Sequence, residues 1–282
     1  MPLHTHPWLR RLVLPLLRRL SPRTFTIRHH YTGEPVLLDP YCHKGYRFHG
    51  RRREQESMHL FARVLRRGDH VCEVGGHIGY LSLYFRSLVD PGEVTVFEPG
   101  ENNLPFIRHN VQRPGIHLVE KAVGRQCGVV QFYLDALTGQ NNSTVRDFDG
   151  LQRNSKAAFV PVTVREVEVE CVSLDTYYEH ASRSPDFVKI DVEGGEWAVL
   201  QGAERLLRRE HPALMVEVQA NAPEIFALLH SAGYTLFNPR GEACSEPGDL
   251  SDNIFALHVA RHATLLRELG IQAAQPAASG PV

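Results

Sequence analysis

The stretch DFVKIDVEGGEWAVLQGAERLL, Asp186 to Leu207, decides how the rest of the chain reads. Its first part alternates, so that Phe187, Lys189 and Asp191 fall on one face of an extended strand and Val188, Ile190 and Val192 on the other. Glu193 and Gly194-Gly195 then lead into a segment with Trp197, Leu200, Ala203 and Leu207 on one face of a helix. An interior strand of a parallel sheet is apolar on both faces. Burying Lys189 and Asp191 there costs several kcal/mol unless they pair or meet a ligand, and the sequence leaves both explanations open. A carboxylate such as Glu193 at the start of the helix is favoured by the positive end of the helix dipole.

Working outward, short apolar runs alternate with helical segments: HVCEV (70–74), VTVFE (94–98), HLVEKAV (117–123), FVKIDV (187–192) and ALMVEV (213–218). Such alternation predicts a parallel sheet with helices on its faces. Two last runs, TLFN (235–238) and NIFALHV (253–259), lie close together and predict a terminal antiparallel hairpin. The expected fold is α/β, with a Rossmann-like, seven-stranded, mostly parallel sheet. Between the third and fourth runs, VVQFYL and VTVREVEVECVSL flank the polar TGQNNSTVRDFDG, which predicts a β-rich insertion over 128–174. Before the sheet, Met58, Phe61, Ala62 and Leu65 recur at helical spacing within Glu54–Arg67, whereas Phe25–Phe48 reads as extended pieces broken by Gly33, Pro35 and Pro40. The expected organisation is an N-terminal amphipathic segment and extended lead-in over 1–53, a core domain over 54–262, and a helix end with a flexible tail over 263–282.

Composition narrows the class. The chain has 282 residues, 43% hydrophobic and 22% charged, enough to bury a full core. With 31 Lys and Arg against 32 Asp and Glu, no global field draws it to nucleic acid or acidic lipid, so a small or neutral partner is expected. Cys42, Cys72, Cys127, Cys171 and Cys244 form no CxxC pair, which argues against a disulfide framework or zinc site and favours a reducing cytoplasm. HVARH (258–262) sets two histidines four apart without a third ligand, so no metal is assigned there. No run approaches the roughly 20 apolar residues that cross a bilayer. The segment Trp8–Leu20, WLRRLVLPLLRRL, reads first as a helix packed on the protein's own body and second as a weak membrane-surface contact.

CEVGGHIGY (72–80) follows one predicted strand and opens a predicted helix. Glycines let the backbone turn sharply and approach a ligand, and the helix start offers free N–H groups. The spacing Glu73, Gly75, Gly79 is acid-x-Gly-x-x-x-Gly; His77 breaks the dinucleotide pattern GxGxxG. Glu98 ends the second strand, where one carboxylate can accept from both hydroxyls of a ribose. With VCEVGGHIGYLSL, VTVFEPGENN, EKAVG, VSLDTYY, FVKIDVEGGEWAVLQGAERLL and HPALMVEVQ in order, residues 54–237 resemble the FkbM-type methyltransferases. That resemblance implies methyl transfer from S-adenosylmethionine to a hydroxyl of a sugar, glycan or polyketide-like natural product. It implies cofactor contacts at Glu73, Gly75, Gly76, His77, Gly79, Tyr80, Glu98 and Pro99, with Ala122 and Val123 beside the adenine. The family's usual Asp-x-Gly-Ala-Asn is Glu73-Val74-Gly75-Gly76-His77 here, so different groups must meet the donor's amino-acid end.

An alcohol must lose a proton during transfer, and Asp191, Glu193 and Glu217 stand at strand ends where an acceptor would approach. Asn142, Ser143 and Lys189 are weaker candidates for acceptor contacts. The acids could instead gather a divalent metal, although no spacing requires one. Competing readings are a nicotinamide-dependent oxidoreductase, disfavoured by the broken GxGxxG, and a cofactor-binding protein without catalysis.

Overall fold

The computed structural model describes residues 24–40, 42–135, 139–146 and 164–272. The amphipathic stretch 8–20, residues 136–138 and 147–163 of the insertion, and the tail from 273 lie outside the described residues. The central sheet has seven strands: β3 (His70–Val74), β4 (Glu93–Phe97), β5 (Ile116–Val119), β9 (Phe187–Ile190), β10 (Ala213–Val218), β11 (Tyr234–Phe237) and β12 (Asp252–His258). In space they run β11-β12-β10-β9-β3-β4-β5. The five from β10 to β5 are parallel, while β12 lies antiparallel between β10 and β11.

Strand alternation divides the core as the sequence reading expects. Phe187, Val71, Val94 and Met215 pack on one face beneath Phe61 and Phe85. Val188, Ile190, Cys72 and Leu214 pack on the other against Leu200, Ala203 and Leu207. The chain order reverses between β3, which leads outward to β4 and β5, and β9, which leads to β10; ligands bind at such a switch point.

Three local expectations change. HLVEKAV divides into β5 and a short β6 (Ala122–Val123), because β6 leaves the main sheet to pair with the insertion. There β7 (Gly128–Asp135) and β8 (Val164–Val172) run antiparallel and form a separate three-stranded sheet with β6. The lead-in also differs. After β1 (Phe25–Arg28) and β2 (Pro35–Leu38), residues Lys44–His49 form helix α1, followed by a 3-10 turn over Gly50–Arg52 and helix α2 (Gln55–Val64). Six residues give under two helical turns, too few for an apolar period to show.

Among the side chains that sew the lead-in to the sheet domain, Asn110 makes three hydrogen bonds. Asn110 accepts from Leu37 N at 2.7 Å and donates to Leu37 O at 3.1 Å and Ile78 O at 2.8 Å. Among the described residues no helix is long and apolar enough to cross a membrane.

Candidate active site

A single crevice over the carboxyl ends of β3, β4, β9 and β10 gathers most of the candidate residues. Its floor is the loop after β3. Gly75 holds φ +87, and a Cβ there would stand 1.9 Å from the backbone oxygen of Asp191, so the approach of β9 itself demands glycine. Gly75 N and Gly76 N both donate to Phe97 O at 3.0 Å, tying the loop to β4. Gly79 begins helix α3 (Tyr80–Val89) and packs against Val111 and Ile107, away from the crevice wall.

At the end of β4, Glu98 is buried, and its carboxylate accepts from His77 N at 2.7 Å, Gly100 N at 2.8 Å and Asn103 Nδ2 at 3.2 Å. Burial pushes its pKa to about 7 despite those donors. A carboxylate has about four lone-pair positions, which leaves one here for a ribose hydroxyl. Beside it, Phe97, Ala122, Val123 and Phe132 border an apolar slot, closed by Gln140 and Asn142. A fixed carboxylate next to a flat apolar slot suits an adenosine.

Beneath the loop, Lys189 is 2% exposed and reaches Gly75 O at 2.8 Å, Asp191 Oδ2 at 3.1 Å and Glu73 Oε1 at 3.9 Å. Burial alone would lower its pKa, but the two carboxylates outweigh burial and raise it. Glu73 accepts from Ser82 Oγ at 2.5 Å, and burial raises its pKa to about 7 against the pull of Lys189. The two explanations for the charged strand therefore combine: Lys189 and Asp191 pair, and the pair borders the crevice.

Asp191, Glu193 and Glu217 converge, with one carboxylate oxygen from each within 4.8 Å of the others. Among the described residues, theirs is the group of His, Cys, Asp or Glu close enough to share an ion. Asp191 is pushed up by burial, yet Lys189 and a hydrogen bond from Glu217 outweigh this and hold it below the usual range. Glu193 is raised to about 8 by burial and then by the charge of Asp191. The same causes carry Glu217 to about 10, so at neutral pH it is a protonated acid donating to Asp191. Gln219 Nε2 bridges Glu193 at 2.9 Å and Glu217 at 2.8 Å.

The weaker acceptor candidates take internal roles. Asn142 Oδ1 accepts from Asp135 N at 2.8 Å, and its amide pairs with Asn102. Ser143 Oγ donates to Glu193 O at 2.6 Å and lies off the crevice wall. Sequence reasoning missed the wall built by the lead-in residues Tyr31, Tyr46 and Arg53 with Glu54 and Met58 at the start of α2, joined by Asn253 of β12. One signal is conformational and invisible in sequence. Glu54, His77 and Glu193 hold φ of 50, 50 and 57, three of the six positive-φ non-glycine residues described, and all three line the crevice. Strain of roughly 1–2 kcal/mol at each is the kind that accumulates at functional sites.

Residues 73–236 match the model of the methyltransferase FkbM domain. The chain is 31% identical over 202 residues to the 31-O-demethyl-FK506 methyltransferase FkbM of Streptomyces tacrolimicus, covering 61% of this chain and 75% of that protein. A solved methyltransferase FkbM from Methylobacillus flagellatus KT is similar at 15% identity and a TM-score of 0.44, over 67% of this chain; the chain spans 43% of that protein. Aeropyrum pernix fibrillarin, solved with natively bound S-adenosyl-L-methionine, is similar at 10% identity and a TM-score of 0.42, covering 84% and 94% of the two chains. Both structural likenesses are distant. The match over most of the chain, on residues that form the crevice just described, settles the assignment: the chain belongs to the FkbM methyltransferase family and is an S-adenosylmethionine-dependent methyltransferase.

Proposed function

We propose that the protein is an O-methyltransferase that places a methyl group on a hydroxyl of a sugar, glycan or polyketide-like natural product. The observation that carries this reading is the cluster of Asp191, Glu193 and Glu217 on the crevice wall, with one carboxylate oxygen of each within 4.8 Å of the others, where burial raises the pKa of the Glu193 carboxyl to about 8. An alcohol oxygen that attacks the methyl carbon must lose its proton, which needs a base whose pKa lies near the working pH. Glu193 takes that proton, while Gln219 fixes its carboxyl and Ser143 holds its backbone. Protonated Glu217 uses its one hydrogen-bond donor on Asp191 and keeps that carboxylate ionised. Glu73, Gly75, Gly76, His77, Tyr80, Glu98, Pro99, Ala122 and Val123 line the donor's side of the crevice. Bound S-adenosylmethionine supplies an electrophilic methyl on a sulfonium, and the protein's task is to hold acceptor oxygen and methyl in line. The name of the Streptomyces relative, a 31-O-demethyl-FK506 methyltransferase, supports an oxygen acceptor. Five free cysteines fit a cytoplasmic setting.

The test is incubation with isotope-labelled donor and panels of glycans and polyketide alcohols, with the methylated atom located by mass spectrometry. Glu193→Gln keeps the shape and the Gln219 contact, and is expected to cut turnover roughly 10²- to 10⁴-fold. Methyl groups found only on nitrogen or carbon would overturn the reading.

A further inference from the structure

The donor's amino-acid end carries a carboxylate, and the glycine loop has little to offer it. Gly75 N and Gly76 N are bound to Phe97 O, His77 N to Glu98, and the Lys189 amine to Gly75 O, Asp191 and Glu73. Counted along the crevice from Glu98, contacts run through His77 to Tyr46, whose hydroxyl lies 3.0 Å from His77 Nδ1, and from the Tyr46 ring to Arg53. The guanidinium carbon of Arg53 stands 4.6 Å from that ring's centroid, and its Nε donates to Glu54 Oε1 at 3.2 Å. Among the described residues none accepts from its two terminal nitrogens, and the side chain lines the crevice at 32% exposure.

Stacking on a buried ring and pairing at Nε hold the fork in one plane, so little further freedom is lost when it binds. Four remaining N–H donors in that plane match a carboxylate in bidentate fashion. We propose that Arg53 binds the methionine carboxylate of the donor, doing the work that the family's glycine loop leaves undone in this chain. The lead-in would then be part of the donor site rather than an accessory. This inference rests on the crevice being the S-adenosylmethionine site.

Calorimetry tests it without any acceptor. The full chain and its Arg53→Met, Arg53→Lys and Tyr46→Phe variants are titrated with S-adenosylhomocysteine and with 5′-methylthioadenosine, which lacks the amino-acid end. The expected result for Arg53→Met is roughly 10- to 100-fold weaker binding of S-adenosylhomocysteine with unchanged binding of methylthioadenosine. Arg53→Lys should lose less, and Tyr46→Phe should retain most of the discrimination because the ring remains. Decarboxylated S-adenosylmethionine gives a check on the native protein alone, and should bind weaker than S-adenosylmethionine by a similar factor. Equal weakening of both nucleosides, no change in either, or native affinity for the decarboxylated donor overturns the assignment. Failure of the native chain to bind S-adenosylhomocysteine at all would instead overturn the reading of the crevice.

Discussion

Replacing Asp191 by Asn separates electrostatics from catalysis at the acid cluster. Lys189 is nearly fully buried, and Asp191 at 3.1 Å and Glu73 at 3.9 Å neutralise it. With an effective dielectric constant of about 20, the gross attractions are about 5 and about 4 kcal/mol, so roughly half survives when Asp191 loses its charge. Stranding a buried ion completely costs about 3–5 kcal/mol. With Glu73 and Gly75 O still in place, the expected cost is about 2–3 kcal/mol, or a melting temperature roughly 4–10 °C lower for a chain of this size. The charge of Asp191 also raises both Glu193 and Glu217, so removing it should move the pH–rate profile toward acid. Melting curves, S-adenosylhomocysteine titration and turnover against pH on one preparation read all three effects. If turnover falls equally at every pH with the midpoint unmoved, Asp191 is itself the base. An unchanged melting temperature would refute the pairing argument.

Three other outcomes follow from the same geometry. Glu98→Ala should weaken S-adenosylhomocysteine binding by roughly 1.5–3 kcal/mol, the range for hydrogen bonds to a charged group, and an unchanged dissociation constant would remove the ribose contact. Gly75→Ala sets a Cβ 1.9 Å from Asp191 O at φ +87, so melting and donor binding should both suffer. Glu193 and Glu217 are raised in the fold above their unfolded value, a contribution that is complete below about pH 4.5 and lost as pH rises through about 8 and 10. The buried histidines His29 and His43 and the half-buried His262, lowered to about 4, oppose this only below about 6.5. Melting temperature should therefore decline between pH 7 and 9, and Glu217→Gln should flatten the decline.

Much of this was legible because periodicity reports burial. HVCEV and ALMVEV match β3 and β10 residue for residue, and the terminal hairpin joins the seven strands as expected. Glu73, Glu98 and Asp191 reach one crevice because each stands at or beside the carboxyl end of a parallel strand, a property the order of runs already contains. What stayed hidden depends on contacts distant in the chain. Tyr46 and Arg53 sit on a helix and turn too short to show a period, and only the return of the lead-in over the glycine loop places them opposite His77. Asn142 and Ser143 read as polar turn residues, yet Asn142 is bound to Asn102 and Asp135, and Ser143 to the backbone of Glu193.

The Lys189 amine links the glycine loop to the acid cluster. Through Gly75 O it fixes the loop that floors the crevice, and through Asp191 it holds a negative charge that raises the proton affinity of Glu193 and Glu217. An apolar residue at 189 would satisfy the sheet but leave Gly75 O without its donor and Asp191 without its cation. Asp191 would then follow its burial and take up a proton, and the pressure that keeps Glu193 near pH 8 would fall. A buried charge on an interior strand is thus costly for the fold and useful to the site. The glycine loop and the acid cluster share one cation, so a change at either end is felt at the other.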